Sequence, residues 1–136
     1  MSQGQFFARD EVQRDALDGF ELGWHSRPET TAAEQLVVIE VKLDPGGGHN
    51  FHRHPNQEEV IYVLDGEIEQ WVDRRKQTLT AGDSAFIPAA MVHASFNVSA
   101  APAKVLAILA PCIGAEGYEL DEVHEQSPWN GLRSSG

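Results

Sequence analysis

A single cysteine, Cys112, excludes any disulfide within the chain, so a packed core has to hold the fold. Cys112 itself reads as a small apolar residue near the end of a strand. Bases are scarce: 10 Lys and Arg stand against 21 Asp and Glu, a net charge of −11. That balance excludes the clustered basic face a nucleic acid requires, and the polybasic patch that binds anionic membranes. No apolar run approaches the ~20 residues of a membrane-spanning helix. The opening MSQGQFFARDEVQRDALDG lacks the basic start and apolar centre of a secretory signal. A cytoplasmic protein with neither nucleic-acid nor membrane partner is expected. Long helical periodicity, internal repeats and low-complexity tracts are missing as well.

What the chain does have is short strands. Its 136 residues make one domain. Residues 36–43, LVVIEVKL, alternate, with Val37, Ile39, Val41 and Leu43 on one face and Glu40 and Lys42 on the other. Residues 44–48, DPGGG, form a turn. Residues 59–66, EVIYVLDG, are β-branched and aromatic and end in Asp65-Gly66, a hairpin signal that predicts pairing with EIEQWVD, 67–73. RRKQ, 74–77, reads as the next turn, followed by strands at 84–88, 92–98 and 104–111. Asp10 is expected to cap a short helix running through Leu17 and ending at Gly19. Close-spaced strands with Gly, Pro and Asp turns predict an all-β sandwich or barrel. The expected division is an N-terminal extension over 1–20, a barrel over 21–115 and an acidic tail over 116–136.

The stretch GGGHNFHRHPNQEEVIYVLDG, 46–66, carries the chemistry. Residues two apart on a strand face the same way, so His52 and His54 point to one side and Arg53 to the other. Glu59 shares a face with Ile61 and Val63 and is the one polar member there. An ionised carboxylate among apolar side chains requires a positive partner. With His93 further on, three imidazoles and a carboxylate make a coordination shell for one divalent transition metal ion: iron, manganese, nickel, copper or zinc. Glu58 falls on the opposite face by parity. His25, His49 and His124 fit no such pattern. His49 lies an odd number of residues from His52, so a regular strand turns it off the ligand face. By the same parity Asn50, Ile61, Val63, Met91 and Ser95 face the interior, with Gln70 and Trp71 alternating on the following strand. None of these is a second charged group of catalytic kind.

These spacings resemble the two motifs of the cupin superfamily. Gly46, His52, His54, Glu59 and Gly66 match the first; Gly82, Pro88, His93 and Asn97 match the second. Ala90 stands where the family usually has glycine, so its backbone must adopt a turn that alanine tolerates. The resemblance implies a double-stranded β-helix, a jelly-roll barrel with the metal inside. It carries over His52, His54, Glu59 and His93 as ligands, and its spacing to Gly66 selects Glu59 over Glu58. It also implies a homodimer formed sheet against sheet, supported by the apolar outward set Val60, Tyr62 and Leu64. Asn97 is expected to bond backbone near the second motif.

Three functions fit. The first is a metal-dependent dioxygenase acting on a small organic substrate, with Glu59 doubling as ligand and proton acceptor. The second is a metal-dependent isomerase or lyase acting on a sugar acid. The third is a small-ligand binder whose metal is structural. A sugar phosphate is disfavoured, because phosphate binding calls for Arg or Lys clamps that the cavity face lacks.

Overall fold

Alternating burial along the chain shows how the strands pack. Residues Ala103–Ala110 alternate buried and half-buried without a break, and Glu58–Asp65 bury Glu59, Ile61 and Val63 while exposing Glu58, Tyr62 and Leu64. The computed structural model describes residues 3–133, so the outermost residues of both expected extensions lie outside it. Eleven strands occur among the described residues: β1 Gln13–Leu17, β2 Phe20–Ser26, β3 Val37–Leu43, β4 Gly48–Arg53, β5 Glu58–Asp65, β6 Glu67–Val72, β7 Arg75–Thr80, β8 Ser84–Ile87, β9 His93–Phe96, β10 Ala103–Ala110 and β11 Asp121–Glu122. A four-residue helix, α1 Pro28–Thr31, links β2 to β3. The strands form two antiparallel sheets, β1-β2-β3-β10-β5-β8 and β11-β4-β9-β6-β7. The chain is all-β, with the expected double-stranded β-helix.

The main core lies between the sheets and includes Val37, Ile39, Leu43, Ile61, Val63, Ile68, Val105 and Leu109. A smaller cluster covers the outer side of the five-stranded sheet. There Phe51, Trp71, Val92, Ala94, Phe96 and Val123 pack against Trp129 and Leu132 of the C-terminal segment. Trp71 therefore faces outward, under the tail, while its neighbour Gln70 is buried and bonds Ser95.

Three expectations about elements are corrected. The helix from Asp10 to Leu17 is only a 3-10 turn, Arg9–Glu11, followed by β1. Every residue of β1 is exposed, so a helix there would have had no apolar stripe to bury. The segment instead hairpins onto β2 through Asp18-Gly19, pairing Leu17 with Phe20. The second correction concerns β5 and β6, which do not pair. Strand β5 already has β10 and β8 on its two edges, and β6 pairs with β7 and β9 in the other sheet. Between them Gly66, at φ +79°, turns the chain from one sheet to the other. A Cβ there would sit 2.9 Å from the Pro102 carbonyl oxygen, so the crossing needs glycine. Thirdly, the turn lies earlier than RRKQ: Asp73, at φ +55°, and Arg74 make the bend, and β7 begins at Arg75.

Candidate metal centre

Strand β4 brings His52 inward near its end, and His54 follows just beyond it. Strand β5 supplies Glu59 near its start, and β9 supplies His93 as its first residue. All four are buried, with 1–5% of each exposed, whereas Glu58 is exposed. One nitrogen from each histidine lies within 4.8 Å of those of the other two. Glu59 Oε1 stands 2.8 Å from His93 Nε2 and 3.3 Å from His54 Nε2. The four side chains thus meet at one interior point.

The opposite ring nitrogens decide the tautomers. His52 Nδ1 lies 2.6 Å from the Asn50 carbonyl oxygen, His54 Nδ1 2.8 Å from that of Glu119, and His93 Nδ1 3.1 Å from that of Met91. A carbonyl only accepts, so each Nδ1 must be the donor. In the neutral rings, all three Nε2 atoms then present lone pairs to the same interior point. Backbone carbonyls on the far nitrogen are the usual support of metal-binding imidazoles. Glu59 Oε1 and His93 Nε2, although adjacent, have no hydrogen-bond partner at this buried position. Orphaned buried polar atoms are rare, and a cation between them would satisfy both. The donor set therefore fits a divalent transition metal, and the three histidines could hold one.

The electrostatics agree. Burial alone would raise the Glu59 carboxyl, but the His54 and His93 imidazoles more than offset it and bring it down to about 2. The imidazoles facing Glu59 hold its anion by hydrogen bond and charge, a role that a bound cation would take over. Burial, reinforced by His49, His93 and His54, pushes His52 well below the usual imidazole range. His54 moves the other way: burial opposes its charge, but Glu59 outweighs it and raises it.

These groups open onto a cavity of about 550 Å³. Its walls are largely apolar, with Leu22, Ile39, Val41, Ile61, Val105 and Leu109 among them, and no Lys or Arg lines it among the described residues. Asn50, Ile61 and Ser95 line it as parity predicts; Val63 lies instead in the solid core.

His49 is corrected. Its ring stacks on His52 with centroids 3.6 Å apart and planes 10° from parallel, and it lines the cavity. The β4–β9 register shifts between His49 and His52, an irregularity that breaks the period of two on which the parity argument rested. His124 lines the cavity too, as do Asp18 and Glu122, which supply the charged groups the sequence did not reveal. His49 Nε2 is 3.5 Å from Glu122 Oε1, and His124 Nε2 is 3.6 Å from Glu122 Oε2. Burial holds the His49 imidazole down at about 4, against the pull of Glu122. His25 does not line the cavity. Leu17, Asp18 and Phe20 reach it from the segment expected to be an extension. Its Asp-Gly pair was the available signal that this segment folds back as a hairpin.

Comparison with known proteins agrees with this arrangement. Residues 39–109 match the model of the cupin domain. An uncharacterised protein of Methanocaldococcus jannaschii is 31% identical over 90 residues, 66% of this chain and 67% of that protein. The polyketide synthase CurC of Streptomyces cyaneus is 29% identical over 101 residues, 74% of this chain and 66% of that one. The chain thus spans about two thirds of each. Among solved structures, KdgF from a Halomonas species superposes with a TM-score of 0.73, covering 82% of this chain and 97% of its own; at 22% identity the likeness is one of fold.

Proposed function

The chain belongs to the cupin family, and from that premise we propose that it is a metal-dependent enzyme of dioxygenase type acting on a small, largely apolar organic substrate. The observation that carries this reading is the convergence of three bare imidazole nitrogens and the Glu59 carboxylate at one end of a cavity whose remaining walls are mostly apolar. His52, His54, Glu59 and His93 would hold the ion. A bound iron, manganese, nickel, copper or zinc ion would supply Lewis acidity toward an enol or diol oxygen, and a redox-active one would also supply a site for O₂.

The protein's own groups do the rest. Leu22, Ile39, Val41 and Val105 receive an apolar ring and exclude water. The absence of Lys and Arg from the lining among the described residues disfavours phosphorylated substrates. His49, Glu122 and His124, which also line the cavity, can hydrogen-bond a polar group of the substrate. A carboxyl held near 2 is a weak base, so Glu59 is suited first to anchoring positive charge.

Metal analysis of the protein purified from its native host, followed by O₂-uptake assays with that metal and a panel of flavonols, β-diketones and catechols, tests the reading. Expected is O₂ consumption matched one for one by substrate, abolished by His52→Ala. No uptake with any metal overturns it. The acid–base groups His49, Glu122 and His124 in the cavity wall favour a second reading, an isomerase or lyase whose metal is only a Lewis acid. Turnover under anaerobic conditions selects that one.

A further inference from the structure

We propose that Gln57 is a positioning residue for His54, acting through the C-terminal segment it grips; this rests on the reading of His54 as a metal ligand. The three histidines are not supported alike. His52 and His93 each donate Nδ1–H to a carbonyl two residues back in their own segment, at Asn50 and Met91. His54 donates to the carbonyl of Glu119, 65 residues further along the chain. Its orientation therefore depends on how that distant segment is fixed.

Gln57 fixes it. The side chain is 1% exposed, and every bond it makes is to backbone. Nε2 donates to the Pro111 carbonyl at 2.8 Å and to the Gly117 carbonyl at 3.0 Å, and Oε1 accepts from the Glu119 N–H at 3.1 Å. Two acceptors on one side and a donor on the other allow only this orientation of the amide. Glu119 is thus held at its nitrogen by Gln57 and offers its oxygen to His54. The turn itself closes with Gln57 N–H to the His54 carbonyl at 3.3 Å. Ligand, carbonyl, amide and Gln57 form one ring of contacts.

The same segment builds part of the cavity wall with Tyr118, Leu120, Glu122 and His124. One glutamine therefore sets both the aim of a ligand and the position of the wall facing the substrate. Asn56 also reaches Glu119, but it holds the exposed carboxylate at 2.7 Å rather than the backbone.

The test uses Co²⁺, whose visible absorption reports ligand geometry. Gln57→Met keeps the length of the side chain and removes all three bonds. Relative to wild type, it is expected to bind Co²⁺ about 10- to 100-fold more weakly, as outer-shell losses do, with shifted visible bands. Asn56→Ala is expected to stay within about 2-fold. Loss of apo-protein stability in Gln57→Met with unchanged Co²⁺ affinity and spectrum identifies a merely architectural glutamine and overturns the proposal. Wild type that takes up no Co²⁺ overturns the metal reading itself, and the proposal with it. Should Gln57→Met fail to fold, hydrogen exchange on wild type decides. Zn²⁺ is expected to slow exchange of the Glu119 amide about tenfold or more, because ligand and amide are linked; no slowing overturns the proposal.

Discussion

Ala90 adopts the left-handed region, at φ +70°, and its N–H donates to the His54 carbonyl at 3.0 Å. A Cβ in that region costs about 1–2 kcal/mol. Glycine relieves the strain but adds about 0.4–1 kcal/mol of unfolded-state entropy. Ala90→Gly is therefore expected to stabilise the protein by about 0.5–1 kcal/mol in urea denaturation; a destabilised variant would show that the turn relaxes around alanine. The ligand-type residues were legible because identity and spacing survive translation into structure: His52, Glu59 and His93 sit on strands, and the extended chain carries the alternation one step past β4 to His54. His49 was not legible. A register shift between His49 and His52 breaks the alternation, the two rings stack, and nothing in GGGHNFHRH marks the shift.

At the scale of elements, the two motif loops are tied by Asn97. Its backbone accepts from Gly46 N–H at 2.8 Å and donates to the Gly47 carbonyl at 2.9 Å. Its side chain, in a residue 1% exposed, donates to the Leu43 and Ala101 carbonyls at 3.0 and 2.8 Å and accepts from Ser99 N–H and Oγ. Asn97→Ala leaves the buried Leu43 carbonyl unpaired, while half-buried Ser99 and exposed Ala101 can turn to water, and is expected to cost about 1–3 kcal/mol. A denaturation midpoint close to wild type would mean that water replaces the amide. Strand existence was legible from alternation in β3, one face of which packs on the core, and in β10 from a short run apolar on both faces. Strand partnership was not. An Asp-Gly pair marks a bend, and whether the chain returns along the same sheet at Asp18-Gly19 or crosses to the other at Asp65-Gly66 depends on which edges are already taken.

For the whole molecule, the buried histidines set the response to acid. His49 falls to about 4 in the folded chain, from 6.5, chiefly through burial. A depressed pKa contributes stability that is complete above 6.5 and lost as pH falls toward 4, because the unfolded chain takes up the proton first. His52 acts in the same direction. Glu59 contributes above 4.5 and loses its share as pH falls through about 2. His54, being raised, opposes them: its contribution is present below 6.5 and lost as pH rises through its folded value. A fully realised His49 shift is worth about 3 kcal/mol. With a quarter of that side chain exposed (25%), about 1–2 kcal/mol is the reasonable expectation. In chelator-treated protein the urea midpoint should fall between pH 6.5 and 4, and His49→Gln, which cannot titrate, should flatten that fall. Added Zn²⁺ should raise the midpoint at pH 7 and lose its effect over the same interval, since protons compete for the ligand nitrogens. A midpoint in His49→Gln that declines as steeply as in wild type would place the acid response elsewhere. The net charge of −11 offers a different source, yet its self-repulsion eases as carboxylates protonate and so pulls stability the opposite way.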